Sequence, residues 1–230
     1  MNPSKHWSLA WRFSLRTAGV PLALIAGALL FARLLISLSD MTLVATSFNS
    51  FEVIVPFVAG LHAALLFAPD DEPALELLLA APRPPAYLIY ERLAVLIALQ
   101  GGLALALSLL TAALTPGVHF FEIVAHWLPP TVCIVGLCLL ATTYARRASF
   151  GLLTAIALCV AMALGNQVIL PLFPDLWFMI FYVQPRDVTI TQYAINRLFL
   201  ISVGLFALGL VLARMRDQEA LLGLQEVKNG

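Results

Sequence analysis

Long, continuous apolar runs separated by short polar breaks dominate the chain. Several runs approach the roughly 20 residues that an α-helix needs to cross a bilayer. They lack the ten-residue alternation of a transmembrane β-barrel. The pattern therefore predicts an all-α polytopic membrane protein with six transmembrane helices. The predicted spans are Ala18–Leu38, Phe51–Ala68, Leu93–Thr115, Ala125–Ala145, Ser149–Pro171 and Asn196–Ala213.

The fourth predicted span contains two adjacent prolines, Pro129 and Pro130. The apolar stretch after them is too short to cross a bilayer alone. We therefore expect a kink within one helix, not a boundary between two helices.

Composition supports a membrane class. The chain is 61% hydrophobic and 11% charged, with a mean hydropathy of +0.94, whereas a soluble domain carries about 25% charged residues. We treat residues 1–230 as a single transmembrane domain. The three cysteines, Cys133, Cys138 and Cys159, fall inside predicted spans, which argues against a disulfide framework.

Lysine and arginine are distributed unequally between the predicted loops. Placing the N-terminus inside leaves Arg186 and Arg197 outside and Arg33 within the first span. The positive-inside rule then predicts that both termini are cytoplasmic. The formal net charge of zero gives no indication of nucleic-acid binding. The residues placed inside are Lys5, Arg12, Arg16, Arg83, Arg92, Arg146, Arg147, Arg214, Arg216 and Lys228.

Residues 1–17 precede the first span and separate into two helical faces. Lys5, Arg12 and Arg16 cluster on one face, whereas Trp7 and Trp11 lie on another. This segregation predicts a helix lying in the cytoplasmic membrane interface. A basic tail that only enforces topology is the alternative.

The cytoplasmic segment 69–92 differs from its apolar surroundings. Asp70, Asp71 and Glu72 precede Pro73, a pattern typical of the first turn of a helix. Leucines follow at helical spacing, and the sequence PRPP at residues 82–85 ends that helix. A short, capped helix with an exposed apolar edge indicates a protein partner.

This segment resembles the corresponding part of the membrane subunits of ABC-2-type ATP-binding-cassette transporters. The matching residues are Glu72, Leu75, Glu76, Leu77, Leu78, Pro82, Arg83 and Arg92. The chain departs from the family where many relatives have Gly-Thr, because it has Pro73-Ala74 there. That departure leaves the subfamily and the substrate open.

The resemblance implies a permease subunit in a bacterial or archaeal cell membrane, with a coupling helix that docks on a separate ATPase subunit. It further implies that ATP and Mg²⁺ bind to that ATPase, with no cofactor in this chain, and that a second permease subunit, identical or different, completes the transporter. The implied ATPase-coupling residues are Glu72, Leu75, Glu76, Leu78, Leu79 and Arg83.

The chain lacks a P-loop, because neither Lys5 nor Lys228 follows a glycine. We therefore expect this chain to be a transport subunit that does not itself hydrolyse ATP, and the resemblance implies that it belongs to an exporter. The scarcity of intramembrane charge favours an amphiphilic or lipid-like substrate. The alternatives are a non-transporting scaffold or sensor subunit, or an intramembrane enzyme, for which neither GxSxG nor a Ser–His motif is present.

Among the polar residues inside predicted spans, Arg33, Glu52 and His62 are candidates for specific contacts. Arg33 and Glu52 are brought close by a short turn, which predicts an ion pair between the first two helices. Its role is helix register or, alternatively, substrate contact. His62 is expected to form a hydrogen bond between helices.

Three residues at one predicted helix end could resemble a metal site. His119, Glu122 and His126 are spaced by three and four residues. No fourth ligand or supporting shell is evident in the sequence, so we expect no metal.

Small residues recur every fourth position in two spans and predict close helix packing. Packing within one subunit and a seam between two membrane subunits are both open, and the family resemblance favours the seam. The outer segment 172–195 is aromatic and bounded by prolines; either it dips into the outer leaflet or it caps the bundle. The residues of the two ladders are Gly19, Ala23 and Gly27 in the first span and Gly151, Ala155, Cys159 and Ala163 in the fifth.

Overall fold

The computed structural model describes residues 20–39, 44–72, 84–115, 117–164 and 189–217. Side chains are described for these residues except 20, 33–39, 44–49 and 162–164. The predicted interfacial helix at 1–17, the leucine-rich part of the coupling segment at 73–83, and residues 172–188 of the outer segment lie outside this set.

The described residues form six long helices and contain no strand. The third helix, α3, is α-helical over Ala86–Leu96 and Gly102–Leu114 and has a π-helical turn at Ile97–Gly101 between them. A short 3₁₀ turn, Pro69–Asp71, follows the helix Val44–Ala64. The helices are α1 (Val20–Ser39), α2 (Val44–Ala64), α3 (Ala86–Leu114), α4 (Phe120–Ala145), α5 (Ala148–Leu164) and α6 (Ile190–Arg214).

Within the described residues, α3, α4 and α6 are long and apolar enough to cross a membrane. The other three helices contain shorter apolar stretches, at Pro21–Ala32, Ser50–Ala64 and Ala148–Ala161. Each of the six helices overlaps one predicted span. The described part of the chain is thus all-helical, and three of its helices have the length and apolarity of membrane-spanning helices.

Several helices start before the predicted spans, and in α2 and α6 polar residues occupy the first turns. α2 starts at Val44, seven residues before the predicted boundary at Phe51. α6 starts at Ile190, so residues 190–195 belong to this helix and not to the outer segment 172–195. The Thr189 side chain accepts a hydrogen bond from the Gln192 N–H and caps α6.

α4 lies at the centre of the bundle and packs against α2, α5 and α6. It continues through Pro129 and Pro130, as predicted. Proline lacks an N–H, so Pro129 leaves the Ala125 carbonyl without its helical donor. The hydroxyl of Tyr193 on α6 lies 3.5 Å from that carbonyl oxygen, which places a polar group beside the interruption.

Contacts within the bundle divide its length into three parts. The end that carries the 3₁₀ turn is here called the Asp70 end: α2, α4 and α6 finish there and α3 and α5 begin. The opposite end, where α2, α4 and α6 begin, is called the Glu52 end. The middle is packed by small and aliphatic side chains, among them Ala59, Ala63, Ile134, Cys138 and Ala155.

Candidate functional site

Arg92, in the second turn of α3, joins the two ends of the undescribed segment 73–83. Its guanidinium binds the Glu72 carboxylate through two hydrogen bonds, Nη1–Oε2 at 2.8 Å and Nη2–Oε1 at 3.1 Å. Nη1 also donates to the Leu66 carbonyl, and the guanidinium lies 5.8 Å from the centre of the Phe67 ring. A planar guanidinium is suited to this paired geometry. Arg92 therefore fixes the residue before the segment to the helix that follows it.

The 3₁₀ turn is also attached to the turn between α4 and α5. The Asp70 N–H donates to the Arg146 carbonyl at 2.9 Å, and Arg146 Nε donates to Asp70 Oδ1 at 2.8 Å. The Ala148 N–H donates to Asp71 Oδ2 at 2.8 Å. Asp71 thereby satisfies an N–H at the start of α5, where a negative charge is also favoured by the helix dipole.

The acidic residues thus bind partners within the chain. From the sequence they were expected to complement the dipole of a helix beginning after Pro73. The structure pairs the Glu72 carboxylate with Arg92 and leaves the Glu72 side chain 11% exposed. In this arrangement Glu72 is fixed to α3 and offers little surface to a partner. The other predicted coupling residues, Leu75, Glu76, Leu78, Leu79 and Arg83, lie outside the described residues.

A second polar cluster lies at the Glu52 end and joins α2, α4 and α6. Glu52 is 1% exposed, and its Oε1 accepts a hydrogen bond from Arg197 Nη2. Its other oxygen lies 3.5 Å from His126 Nδ1. The Arg197 guanidinium lies 4.5 Å from the centre of the Tyr193 ring, and that ring is 5.6 Å from the His126 ring. One carboxylate thus brings together side chains from three helices.

Glu52 has described partners that sequence proximity did not indicate. Arg33 was expected to pair with Glu52, but its side chain lies outside the described residues. Among those described, Arg197 and His126 contact the carboxylate. His62 is buried as expected at 1% exposure, and its Nδ1 has no hydrogen-bond partner among the described residues.

The three residues with metal-like spacing have separate roles. His119 is the N-cap of α4 and forms a capping box with Glu122, whereas His126 is directed to Glu52. In the part of the chain that the structure describes, no group of three His, Cys, Asp or Glu side chains could hold a metal ion.

The small-residue ladder of α5 packs inside the chain. A Cβ atom added to Gly151 would lie 1.9 Å from Thr142 Oγ1 and 2.7 Å from the Ala64 Cβ. Ala155 is completely buried in the core. For these two residues the structure therefore favours packing within one subunit, the alternative that the sequence left open beside the seam. Helices α2 and α4 already occupy that face.

The remaining ladder residues say less about whether the ladders pack within the chain or between subunits. A Cβ at Gly27 of α1 would lie 3.3 Å from a methyl group of Leu103 in α3, so this face also meets the same chain. Ala23 and Cys159 are partly exposed. Gly19 and the Ala163 side chain lie outside the described residues.

Sequence reasoning missed a closer helix contact, between α4 and α6. A Cβ at Gly136 would lie 2.4 Å from the Gly204 carbonyl oxygen, and one at Gly204 would lie 2.4 Å from the Val132 carbonyl oxygen. The two backbones therefore touch, which only glycine allows at this separation. Each glycine stands outside the ladders that repeat every fourth residue, so the repeat gave no signal for it.

The buried Gln100 was also missed. It lies in the π-helical turn near the middle of α3 and is 5% exposed. Its single amide within a long apolar run was the available signal, since buried polar groups in membrane helices are rare.

Comparisons of the chain with protein-family models, with curated proteins and with solved structures find no match.

Proposed function

We propose that this chain is the permease subunit of an ABC-2-type exporter, powered by a separate ATP-binding-cassette ATPase. Six helices cross the cell membrane, both termini are cytoplasmic, and the Asp70 end faces the ATPase. ATP and Mg²⁺ bind to the partner, and a second permease subunit, identical or different, completes the pathway for an amphiphilic or lipid-like substrate. The positive-inside distribution of Arg92, Arg146, Arg147 and Arg214 supports this orientation.

The observation that carries the proposal is the paired hydrogen bond between Glu72 and Arg92. It ties together the two ends of segment 73–83, the segment that resembles a coupling helix. A helix that transmits force must be fixed to the body it moves, because a flexible connection would absorb the displacement. The charge-assisted pair supplies that attachment in a partly buried setting.

The leucines of the segment would provide the docking edge. An apolar edge that fills a cleft contributes most of its binding energy through a few buried side chains. Replacing Leu75 and Leu78 with glutamate would bury unpaired charge in that cleft. The expected result is loss of the ATPase with an unchanged membrane bundle, since neither residue lies in a predicted span.

The test is affinity purification of the full chain from membranes of its source organism, followed by identification of associated proteins and measurement of ATP hydrolysis. The wild type is expected to retain a protein with nucleotide-binding motifs, and L75E/L78E is expected to lose it. L221E/L222E is the matched control, because it introduces the same two charges in the C-terminal tail, which the proposed topology also places in the cytoplasm.

Two results would overturn the proposal. One is a wild-type preparation without any ATPase, or with a partner that lacks nucleotide-binding motifs, as a scaffold subunit would have. The other is an L75E/L78E variant that retains the ATPase at the wild-type level with unchanged hydrolysis.

A further inference from the structure

The 3₁₀ turn and the α4–α5 turn form a direct contact between parts of the chain that are 76 and 77 residues apart. It combines a backbone hydrogen bond from Asp70 to the Arg146 carbonyl, an ion pair between the same two residues, and the bond from the Ala148 N–H to Asp71. Because backbone atoms take part on both sides, displacement of one turn must be followed by the other or break these bonds.

The conformation of Arg146 makes the contact possible. Its φ of 66° lies in the left-handed region, which ends α4 and turns the chain into α5. A helix end leaves carbonyl groups without intrahelical donors. The Arg146 carbonyl receives its donor from Asp70. A carbonyl at the end of α4 and an N–H at the start of α5 thus both find their hydrogen-bond partners in the 3₁₀ turn that follows α2.

The contact fixes the position of the two turns relative to each other more than it stabilises the fold. The Asp70 side chain is 38% exposed and that of Arg146 20% exposed, and ion pairs near solvent contribute little to the free energy of folding. Arg147 approaches the same carboxylate only at 3.9 Å, with its side chain 68% exposed. Removing the acidic side chains is therefore compatible with a folded bundle.

We propose that Asp70 and Asp71 are positioning residues that carry movement of segment 73–83 to α4 and α5. This inference rests on the proposed function, in which that segment moves with the ATPase. Glu72 and Arg92 would carry the same movement to α3. The α4–α5 turn thereby becomes a second point where the movement enters the bundle, and it leads directly into the central helix.

The experiment follows amide hydrogen exchange in the purified complex before and after ATP is added. In the wild type, both the start of α3 (84–92) and the α4–α5 turn (143–152) are expected to change. In D70A/D71A the response at 143–152 is expected to be reduced, because both side-chain bonds are removed and only the backbone bond from residue 70 to the Arg146 carbonyl remains. The response at 84–92 should persist through Glu72. D71N is the conservative control, because its amide oxygen still accepts a bond from the Ala148 N–H, and it should respond like the wild type.

The outcomes separate this inference from the proposed function. A wild-type complex without an ATPase overturns both. An ATPase-bound D70A/D71A complex with a wild-type response at 143–152 overturns the inference alone, as does loss of the ATPase from this variant, which would make the residues partner contacts.

A charge exchange covers the case in which D70A/D71A does not fold. D70R/R146D restores opposite charges, and aspartate tolerates the left-handed conformation at position 146. A response of the folded D70R/R146D protein at 143–152 like that of the wild type supports the inference. A folded D70R/R146D protein without that response overturns it.

Discussion

Replacing Arg197 with methionine tests whether charge compensation at the Glu52 end holds the bundle together. Methionine keeps a long, unbranched side chain but removes the positive charge. Glu52 is 1% exposed, so its carboxylate would be left with His126 Nδ1 at 3.5 Å as its described neighbour. The contact between the Arg197 guanidinium and the Tyr193 ring would also be lost.

The expected cost follows from burial. Breaking a buried ion pair by removing one partner costs about 3–5 kcal/mol, because the remaining charge is buried without compensation. Replacing both partners with uncharged side chains of similar size is often neutral or stabilising. The double variant E52Q/R197M should therefore recover most of the loss caused by R197M. The free energy of unfolding of R197K should fall between those of the wild type and R197M, since lysine keeps the charge but cannot present a planar fork.

The measurement is equilibrium unfolding of the purified chain in mixed micelles, followed by tryptophan fluorescence. Trp127 is a suitable reporter because it adjoins His126, is 2% exposed, and donates from Nε1 to Ser108 Oγ at 3.1 Å. R147M is the matched control, because it removes the same side chain where it is 68% exposed. That change should alter the free energy of unfolding by less than about 1 kcal/mol.

Two results would refute the reasoning. If R197M unfolds with a free energy close to that of R147M, the ion pair does not hold these helices. If E52Q/R197M is less stable than R197M, the loss comes from packing or hydrogen bonding and not from uncompensated charge.

The remaining predictions concern helix packing and topology. G204A should lower the free energy of unfolding by about 1–3 kcal/mol, because the added Cβ would lie 2.4 Å from the Val132 carbonyl oxygen. G209A, on the same helix with nothing within 4 Å of the added Cβ, should be neutral or stabilising by up to about 1 kcal/mol; equal effects of the two changes would contradict the backbone contact. For topology, single cysteines at Asp40, His119 or Asp187 should react with an impermeant thiol reagent outside the cell, and cysteines at Lys5 or Lys228 should not. Labelling of either terminus from outside would contradict the proposed orientation.

The helices could be predicted from the sequence because continuous apolar runs are sufficient to locate them. Their first turns could not, since Thr191 and Gln192 interrupt the apolar pattern while still being helical. Burial of Glu52 within the bundle was also predictable, because a carboxylate in an apolar run requires a partner.

The identity of that partner could not be predicted. Arg33 is the nearest arginine or lysine along the chain, whereas the described partner, Arg197, is 145 positions away from Glu52 and is brought close only by the order of helices around α4. Hydrophobic periodicity locates a helix but does not say which helix it meets. The same limitation applies to the small residues Gly151 and Ala155. A small-residue face indicates a close neighbour, and the sequence does not distinguish a neighbour in the same chain from one in another subunit.

The placement of polar and small residues on α4 also bears on how movement could cross the bundle. Arg146 attaches one end of this helix to the 3₁₀ turn, and His126 lies beside Glu52 near the other end. Between them, Gly136 meets the backbone of Gly204, a contact that tolerates little sliding because no flexible side chain separates the two helices. If movement enters at the α4–α5 turn, as proposed, α4 and α6 would shift together at this crossing. The displacement would then reach Glu52 and Arg197, whose buried ion pair joins α2 to α6 at the Glu52 end.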